Sequence, residues 1–249
     1  MLTGSHLTVE RSSRALISDL NFAARGGEFT VILGRNGAGK STLLRCLSGE
    51  LKPDSGQVAY LDRSLAEWKP RVLARIRSVV TQSSVLSFPF KVREVVELGR
   101  GPHGANLDEP VEWAMSQLDL LPYADRDYTT LSGGERQRTH FARALAQIYE
   151  AVHRGNGFLL LDEPTSSLDL AHQHQALRCA KELTQRGLGV VAVLHDLNLS
   201  AKYADTVYLL DEGICLANGP AGEVLDPALL SRAYRIPIQR GSEMFDVKN

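Results

Sequence analysis

Only three cysteines, Cys46, Cys179 and Cys215, occur in 249 residues. Their odd number, wide spacing and lack of any C-x-x-C pair exclude a disulfide framework and a zinc knuckle, and fit a reducing cytoplasm. No C-x-x-C-H or Cys-Pro pair occurs either, so the chain has no haem-attachment signature of its own. Long hydrophobic runs are also lacking: stretches such as Val190 to Leu194 fall far short of the roughly 20 residues that cross a bilayer. Residues 1 to 14 lack the basic region, long apolar stretch and small-residue cleavage site of an export signal. The expectation is a chain that is neither exported nor membrane-spanning. An excess of one charge is absent too, with 28 basic against 29 acidic residues, so no electrostatic case exists for nucleic acid or an anionic lipid surface as partner. No internal repeat, low-complexity tract or heptad run is present. What remains is an ordinary globular composition, 43% hydrophobic and 23% charged, on a chain long enough to bury a large core in one domain.

Short β-rich runs open the sequence at Leu7 to Arg11, Leu16 to Phe22 and Phe29 to Leu33, with Gly26-Gly27 as a turn before the third. They read as a small sheet leading into a central strand. A Gly-rich loop follows, then a helix from about Lys40 to Leu47 ended by Gly49, and a turn over Pro53 to Gly56. From about Leu86 to Gln147 the apolar residues Val92, Val95, Val96, Leu98, Val111, Met115, Leu118 and Leu121 fall at helical spacing, as in a helical subdomain inserted into an α/β core. The segment between Ala146 and Phe158, with Gly155 and Gly157, reads as an exposed loop. The core resumes with an apolar strand at Phe158 to Leu161, a helix over Ala171 to Gln185 and a strand at Val190 to Leu194. This alternation predicts a mainly parallel sheet flanked by helices. Past Glu223 the sequence is mixed and assigns no role.

Gly34-Arg35-Asn36-Gly37-Ala38-Gly39-Lys40-Ser41-Thr42 fits G-x-x-x-x-G-K-[ST] and stands between a strand and a helix, as that motif requires. The glycines let successive backbone N–H groups turn toward one anion, and the helix adds the positive end of its dipole. Lys40 is placed to reach the β- and γ-phosphates of ATP and Ser41 to ligate Mg²⁺. Phe158 to Glu163 is an apolar strand delivering two adjacent carboxylates. Neighbours on a strand point to opposite sides, so Asp162 is assigned to Mg²⁺ through water and Glu163 to the attacking water as general base. Ser132, Gly133 and Gly134 precede a helix running from Glu135 to about Gln147, whose free N–H groups form a second anion-binding end.

With Leu131-Ser132-Gly133-Gly134-Glu135-Arg136-Gln137-Arg138 in place, the chain resembles the ATP-binding cassette family over most of its length, from about Leu2 to about Pro237. The resemblance implies the P-loop cassette fold: a mainly parallel core sheet flanked by helices (about 1–85 and 155–220), a small N-terminal antiparallel β subdomain, a helical subdomain (about 86–150) and a tail (238–249). It also implies a head-to-tail homodimer in which Ser132, Gly133, Gly134 and Glu135 of one chain cap the ATP of the other. Gln82 matches the glutamine that senses metal and attacking water, Ser167-Leu168-Asp169 the loop that crosses the dimer, and His195 the histidine that contacts the γ-phosphate. ATP and Mg²⁺ are the implied cofactors.

The family's aromatic residue for stacking on adenine has no counterpart here, since Arg11 or a neighbour stands at that place; a guanidinium can lie over a purine, and a plain surface arginine is the other reading. His172 and His174, two apart on a helix, project to nearly opposite faces and read as a solvated surface rather than a metal site. Gln82-Ser83-Ser84, Leu86 to Phe90, Val95 to Arg100 and Pro102-His103 look like the ATP-binding subunits of bacterial hemin importers. Leu194 to Leu199 and Tyr203-Ala204-Asp205 do as well, but are shared with iron-siderophore and cobalamin importers. The implied partners are a membrane permease dimer and, through it, a periplasmic hemin-binding protein, with no nucleic acid. The implied place is the cytoplasmic face of the inner membrane. A cassette ATPase of iron-sulfur cluster assembly remains the rival outside transport.

Overall fold

The computed structural model describes residues 1–11, 14–81, 86, 88–103, 108–240 and 245–247. Gln82 therefore lies outside the described residues, as do Ser83 and Ser84.

Strands β1 (Leu2–Arg11), β2 (Arg14–Ala24) and β3 (Phe29–Gly34) come first, followed by helix α1 (Lys40–Ser48) and then β4 (Ser55–Tyr60) and β5 (Arg63–Ser64). An antiparallel sheet forms in the order β2-β1-β4-β5. The turn expected at Pro53 to Gly56 is shorter than the sequence suggests, because Ser55 and Gly56 already belong to β4 and Ser55 pairs with Thr8.

The core sheet is built from β3, β6 (Arg77–Val80), β7 (Phe158–Asp162), β8 (Gly189–Val193), β9 (Thr206–Asp211) and β10 (Ile214–Pro220), in the order β10-β9-β3-β8-β7-β6. Only the β9–β10 pair is antiparallel. Alternation along each strand divides the side chains between two cores. Phe29, Val31, Leu33, Leu159, Leu161, Val190 and Ala192 face one of them; Ile32, Phe158, Leu160, Val191 and Val193 face the other, against α1 and the antiparallel sheet. A sheet covered on both faces reads as continuous apolar runs, which is why these strands stand out in the sequence.

After the one-turn helix α2 (Pro70–Leu73), the predicted helical insertion resolves into α3 (Val92–Glu97), α4 (Asp108–Ser116), α5 (Gly133–Gln147) and α6 (Tyr149–Arg154). Val92, Val95, Val96, Val111, Met115 and Leu118 pack with Phe141 and Leu145 of α5 in the same cluster as the β3 face, so the insertion and the sheet share one core. Helix α6 replaces the exposed loop expected between Ala146 and Phe158. Ala151 and Val152 are buried in that core, and Gly155 closes the helix in the left-handed region (φ 64°). Six residues are too few for a period to show, and tertiary burial decides their conformation. Arg100, only 3% exposed, locks the junction by donating to Ala146 O (2.8 Å) and to both Glu150 carboxylate oxygens (2.6 and 3.0 Å).

Helices α7 (Leu170–Thr184) and α8 (Leu197–Tyr203) flank the last core strands. Helix α9 (Ala221–Val224) includes Glu223, and the mixed segment beyond it forms α10 (Pro227–Tyr234) and the antiparallel pair of β11 (Ile238–Arg240) and β12 (Phe245–Val247). The Phe245 N–H donates to Asn198 Oδ1 of α8 at 2.8 Å, so the tail is tied to the helix that follows His195. Among the described residues no helix is long and apolar enough to cross a membrane.

Candidate active site

Gly34 ends β3, and α1 starts at Lys40 with Gly39 as its N-cap in the left-handed region (φ 101°). Gly37 is left-handed as well (φ 81°). A Cβ on Gly37 would meet nothing within 4 Å, whereas one on Gly39 would lie 2.6 Å from the Leu16 carbonyl oxygen. The loop therefore presents its open side at Gly37 and is clamped against β2 at Gly39. Lys40 is buried, and its ammonium donates to Gly34 O (2.8 Å) and Arg35 O (3.0 Å). Burial pulls its pKa below the ordinary lysine value, while Glu163 and Asp162 pull it back up. A cleft of about 220 Å³ is lined by Leu16, Asn36, Gly37, Gly39, Lys40, Ser41, Thr42 and Glu163.

Strand register delivers the acids. Parallel pairing sets Asp162 of β7 opposite Val193 of β8, so the residues just past these strand ends emerge together at the carboxyl edge of the sheet, where open α/β sheets bind ligands. Ser41 Oγ donates to Asp162 Oδ1 at 3.1 Å, which ties the phosphate loop to the acid strand. Burial raises the Asp162 carboxyl above its usual range; the Ser41 hydrogen bond opposes that rise and the Glu163 charge adds to it. Glu163 has left β7 and turned into the left-handed region (φ 50°), with its N–H donating to Val193 O at 3.2 Å. Its carboxylate Oε1 meets His195 Nε2 at 2.5 Å. Asp162 and Glu163 diverge, one toward Ser41 and the other toward His195, but through the left-handed turn at Glu163 rather than through the strand alternation expected from the sequence.

The helix start expected to bind a second anion is a capping box. Ser132 is the N-cap of α5: the Glu135 N–H donates to Ser132 Oγ (3.3 Å) and the Ser132 N–H to Glu135 Oε2 (2.7 Å). Those hydrogen bonds hold the Glu135 carboxyl below its usual range. Ser132, Gly133, Gly134 and Glu135 line a cleft of about 710 Å³ together with Ser167, Asp169 and His172. Asp169 caps α7 by accepting from the His172 N–H at 2.9 Å, and takes the His172 ring nitrogen at 2.8 Å. Among the described residues none lines both clefts. The predicted residues thus fall into two groups: Asn36, Gly37, Gly39, Lys40, Ser41, Thr42 and Glu163 line one cleft, with Asp162 bonded to Ser41 and His195 to Glu163, and Ser132 to Glu135 with Ser167 and Asp169 line the other.

Arg11 does not line the phosphate-loop cleft. Its guanidinium donates to Glu10 O (2.6 Å) and Asp54 Oδ2 (3.4 Å). His174 pairs with the Tyr203 hydroxyl at 2.8 Å, on a different partner from His172. Leu16 and Gln137 are the residues that sequence reasoning missed. Leu16 reaches the cleft from β2, far from any motif. Gln137 stands inside the quoted run from Leu131 to Arg138, but its partners, Glu163 O and Ser167 N, are distant in sequence and visible only in the fold.

A Gly-rich loop leading into α1, an acid pair at the carboxyl edge of the sheet and the capped start of α5 fit an ATPase of the cassette type. The chain belongs to the ABC transporter family, whose profile matches residues 17–166. The hemin import ATP-binding protein HmuV of Gloeobacter violaceus is 44% identical over 239 residues, covering 94% of this chain and 87% of that protein. HmuV of Deinococcus radiodurans is 47% identical over 232 residues, covering 92% and 87% respectively, and HmuV of Plesiomonas shigelloides 42% over 248 residues, 94% of each. Among solved structures, an ABC transporter of metal-chelate type in an inward-facing conformation superposes with a TM-score of 0.79 at 29% identity, covering 98% of this chain and 94% of that one. A dimeric bacterial ABC transporter cassette at 23% identity has a TM-score of 0.78, covering 89% and 99%, and supports the fold.

Proposed function

We propose that this chain energises hemin import: two copies, arranged head to tail on the cytoplasmic face of the inner membrane, drive a separate permease dimer that a periplasmic hemin-binding protein supplies. The observation that carries the cargo assignment is the 42–47% identity to hemin import ATP-binding proteins across at least 92% of the chain. A head-to-tail homodimer fits the division of the site, in which the cleft at Lys40 and the cleft at Ser132 have no described residue in common. Pairing two chains head to tail brings Ser132 to Glu135 of one to the ATP held by the other, with Ser167 and Asp169 on the crossing loop.

In this reading the loop from Gly34 to Thr42 cradles the triphosphate through its N–H groups. Lys40 exchanges its bonds to Gly34 O and Arg35 O for the β- and γ-phosphates. Mg²⁺ suits the donor set, because Ser41 and Asp162 offer hard oxygens 3.1 Å apart and that ion needs only one or two carboxylates beside phosphates and water. Ser41, Gln82 and Asp162 would hold it, and it would neutralise charge on the phosphate oxygens. Glu163 accepts the proton of the attacking water, and His195, already against Glu163, holds base and γ-phosphate in register.

The second reading keeps the chemistry and changes the cargo to a ferric siderophore or cobalamin; the likeness to a metal-chelate type transporter over 98% of the chain favours it over any non-chelate cargo. Glu163→Gln tests the catalytic assignment. It is expected to keep ATP binding and to lower phosphate release by about 10² to 10⁴ with the permease present; near-normal turnover would remove Glu163 as the base. Recovery of the chain with soluble scaffold proteins and no permease would overturn the transport reading in favour of iron-sulfur assembly.

A further inference from the structure

Gln137 lies in the second turn of α5, behind the helix end formed by Ser132, Gly133 and Gly134. Both ends of its side-chain amide are engaged. Nε2 donates to Glu163 O at 3.2 Å, and Oε1 accepts from the Ser167 N–H at 3.2 Å. Glu163 O also accepts from Ser166 N (3.3 Å) and Ser166 Oγ (3.1 Å), so the carbonyl of this residue is held from two elements at once. The hold matters because Glu163 adopts a left-handed backbone (φ 50°), a conformation that costs a non-glycine residue free energy and persists only where its surroundings fix it. The start of α5 also packs tightly on the crossing loop, since a Cβ on Gly134 would lie 3.3 Å from Ser167 O.

We propose that Gln137 is a positioning residue that couples the two half-sites carried by one chain. It joins the helix that caps the partner's ATP to the backbone of Glu163, the base for the chain's own ATP, and to the loop that crosses between them. The inference rests on the homodimer and on Glu163 as base. When the second copy's γ-phosphate seats on Ser132 to Gly134, a small rotation of α5 moves the Gln137 amide and with it the peptide that sets the direction of the Glu163 side chain. A displacement of about 1 Å at a reacting group is enough to change a rate by as much as 10². Coupling of this kind requires a physical link between two states of an element, and the paired bonds of one amide supply it.

The test compares wild type, Gln137→Met, Gln137→Glu and Glu163→Gln as full chains with the permease, reading kcat, KM for ATP, the Hill coefficient for ATP and Tm. Gln137→Met keeps the length of the side chain and removes both hydrogen bonds. It is expected to lower kcat about ten- to hundredfold, with KM within about twofold of wild type and a Hill coefficient reduced toward one. Gln137→Glu keeps an acceptor for the Ser167 N–H and turns a carboxylate on Glu163 O, so it should lose kcat at least as strongly; it carries the test if the methionine variant fails to fold. Wild-type kcat and Hill coefficient in a folded variant, or a raised KM with kcat unchanged, would overturn the proposal. Inactive wild type or a fully active Glu163→Gln would instead remove the catalytic reading, and the coupling with it. Active wild type, silent Glu163→Gln and normal Gln137 variants would remove the coupling alone.

Discussion

Two glycines of one loop should respond very differently to the same methyl group. Gly37 and Gly39 both have left-handed backbones, with φ of 81° and 101°. Alanine at either site carries a conformational penalty of about 1 to 2 kcal/mol. At Gly37 that is the whole cost to the nucleotide-free protein, because the new Cβ meets nothing within 4 Å. At Gly39 the Cβ would lie 2.6 Å from the Leu16 carbonyl oxygen, and the obstacle is backbone of a paired strand, so the loop or β2 must shift. Overpacking of this kind adds about 1 to 3 kcal/mol. Gly39→Ala should therefore be less stable than Gly37→Ala by about that difference, read as a Tm lower by roughly 2 to 12 °C in a domain of this size. Thermal and urea unfolding followed by circular dichroism, without nucleotide so that ligand linkage does not move the midpoint, make the comparison. Equal destabilisation, or a greater loss at Gly37, would refute the clamp between the phosphate loop and β2.

Arg100→Ala removes three hydrogen bonds from a side chain that is only 3% exposed and should cost about 3 kcal/mol, measured by urea unfolding; a loss below about 0.5 kcal/mol, the level of an exposed pair, would contradict its role in locking α5 to α6. Burial pushes the Cys46 thiol up to about 11 and that of Cys179 up to about 12. Because the thiolate is the reactive form, both should resist alkylation at pH 8 in the folded protein and react in urea. The same shifts make stability fall as pH rises above about 9, where the unfolded chain loses these protons first. Rapid modification of Cys46 or Cys179 in folded protein at pH 8, resolved by peptide mapping, would contradict their burial.

The core strands were legible because β3, β7 and β8 are covered on both faces and so run apolar, as Phe158 to Leu161 illustrates, with the buried Thr30 the one polar interruption in β3. The phosphate loop and a helix start next to Ser132 were legible because local backbone chemistry dictates both, but α5 begins at Gly133 rather than Glu135, and the capping box that engages the Ser132 and Glu135 N–H groups shows only in the structure. Helix α6 was not legible. Tyr149 to Arg154 is too short to display a period, and only its contact with the core makes it helical. The closing pair of β11 and β12 was likewise invisible, since strands of three residues are too short to show alternation and the Phe245 N–H is anchored on the distant Asn198. The bridging role of Gln137 escaped for the same physical reason: a hydrogen bond across 26 or 30 residues leaves no local pattern.

Uptake into vesicles that contain this subunit and its permease, with hemin, a ferric siderophore and cobalamin offered separately, tests the central claim most directly. ATP-dependent accumulation of hemin that is abolished by Glu163→Gln, with little of the other two, is the expected result. Preferential accumulation of siderophore or cobalamin, or hemin uptake indifferent to Glu163→Gln, would contradict it.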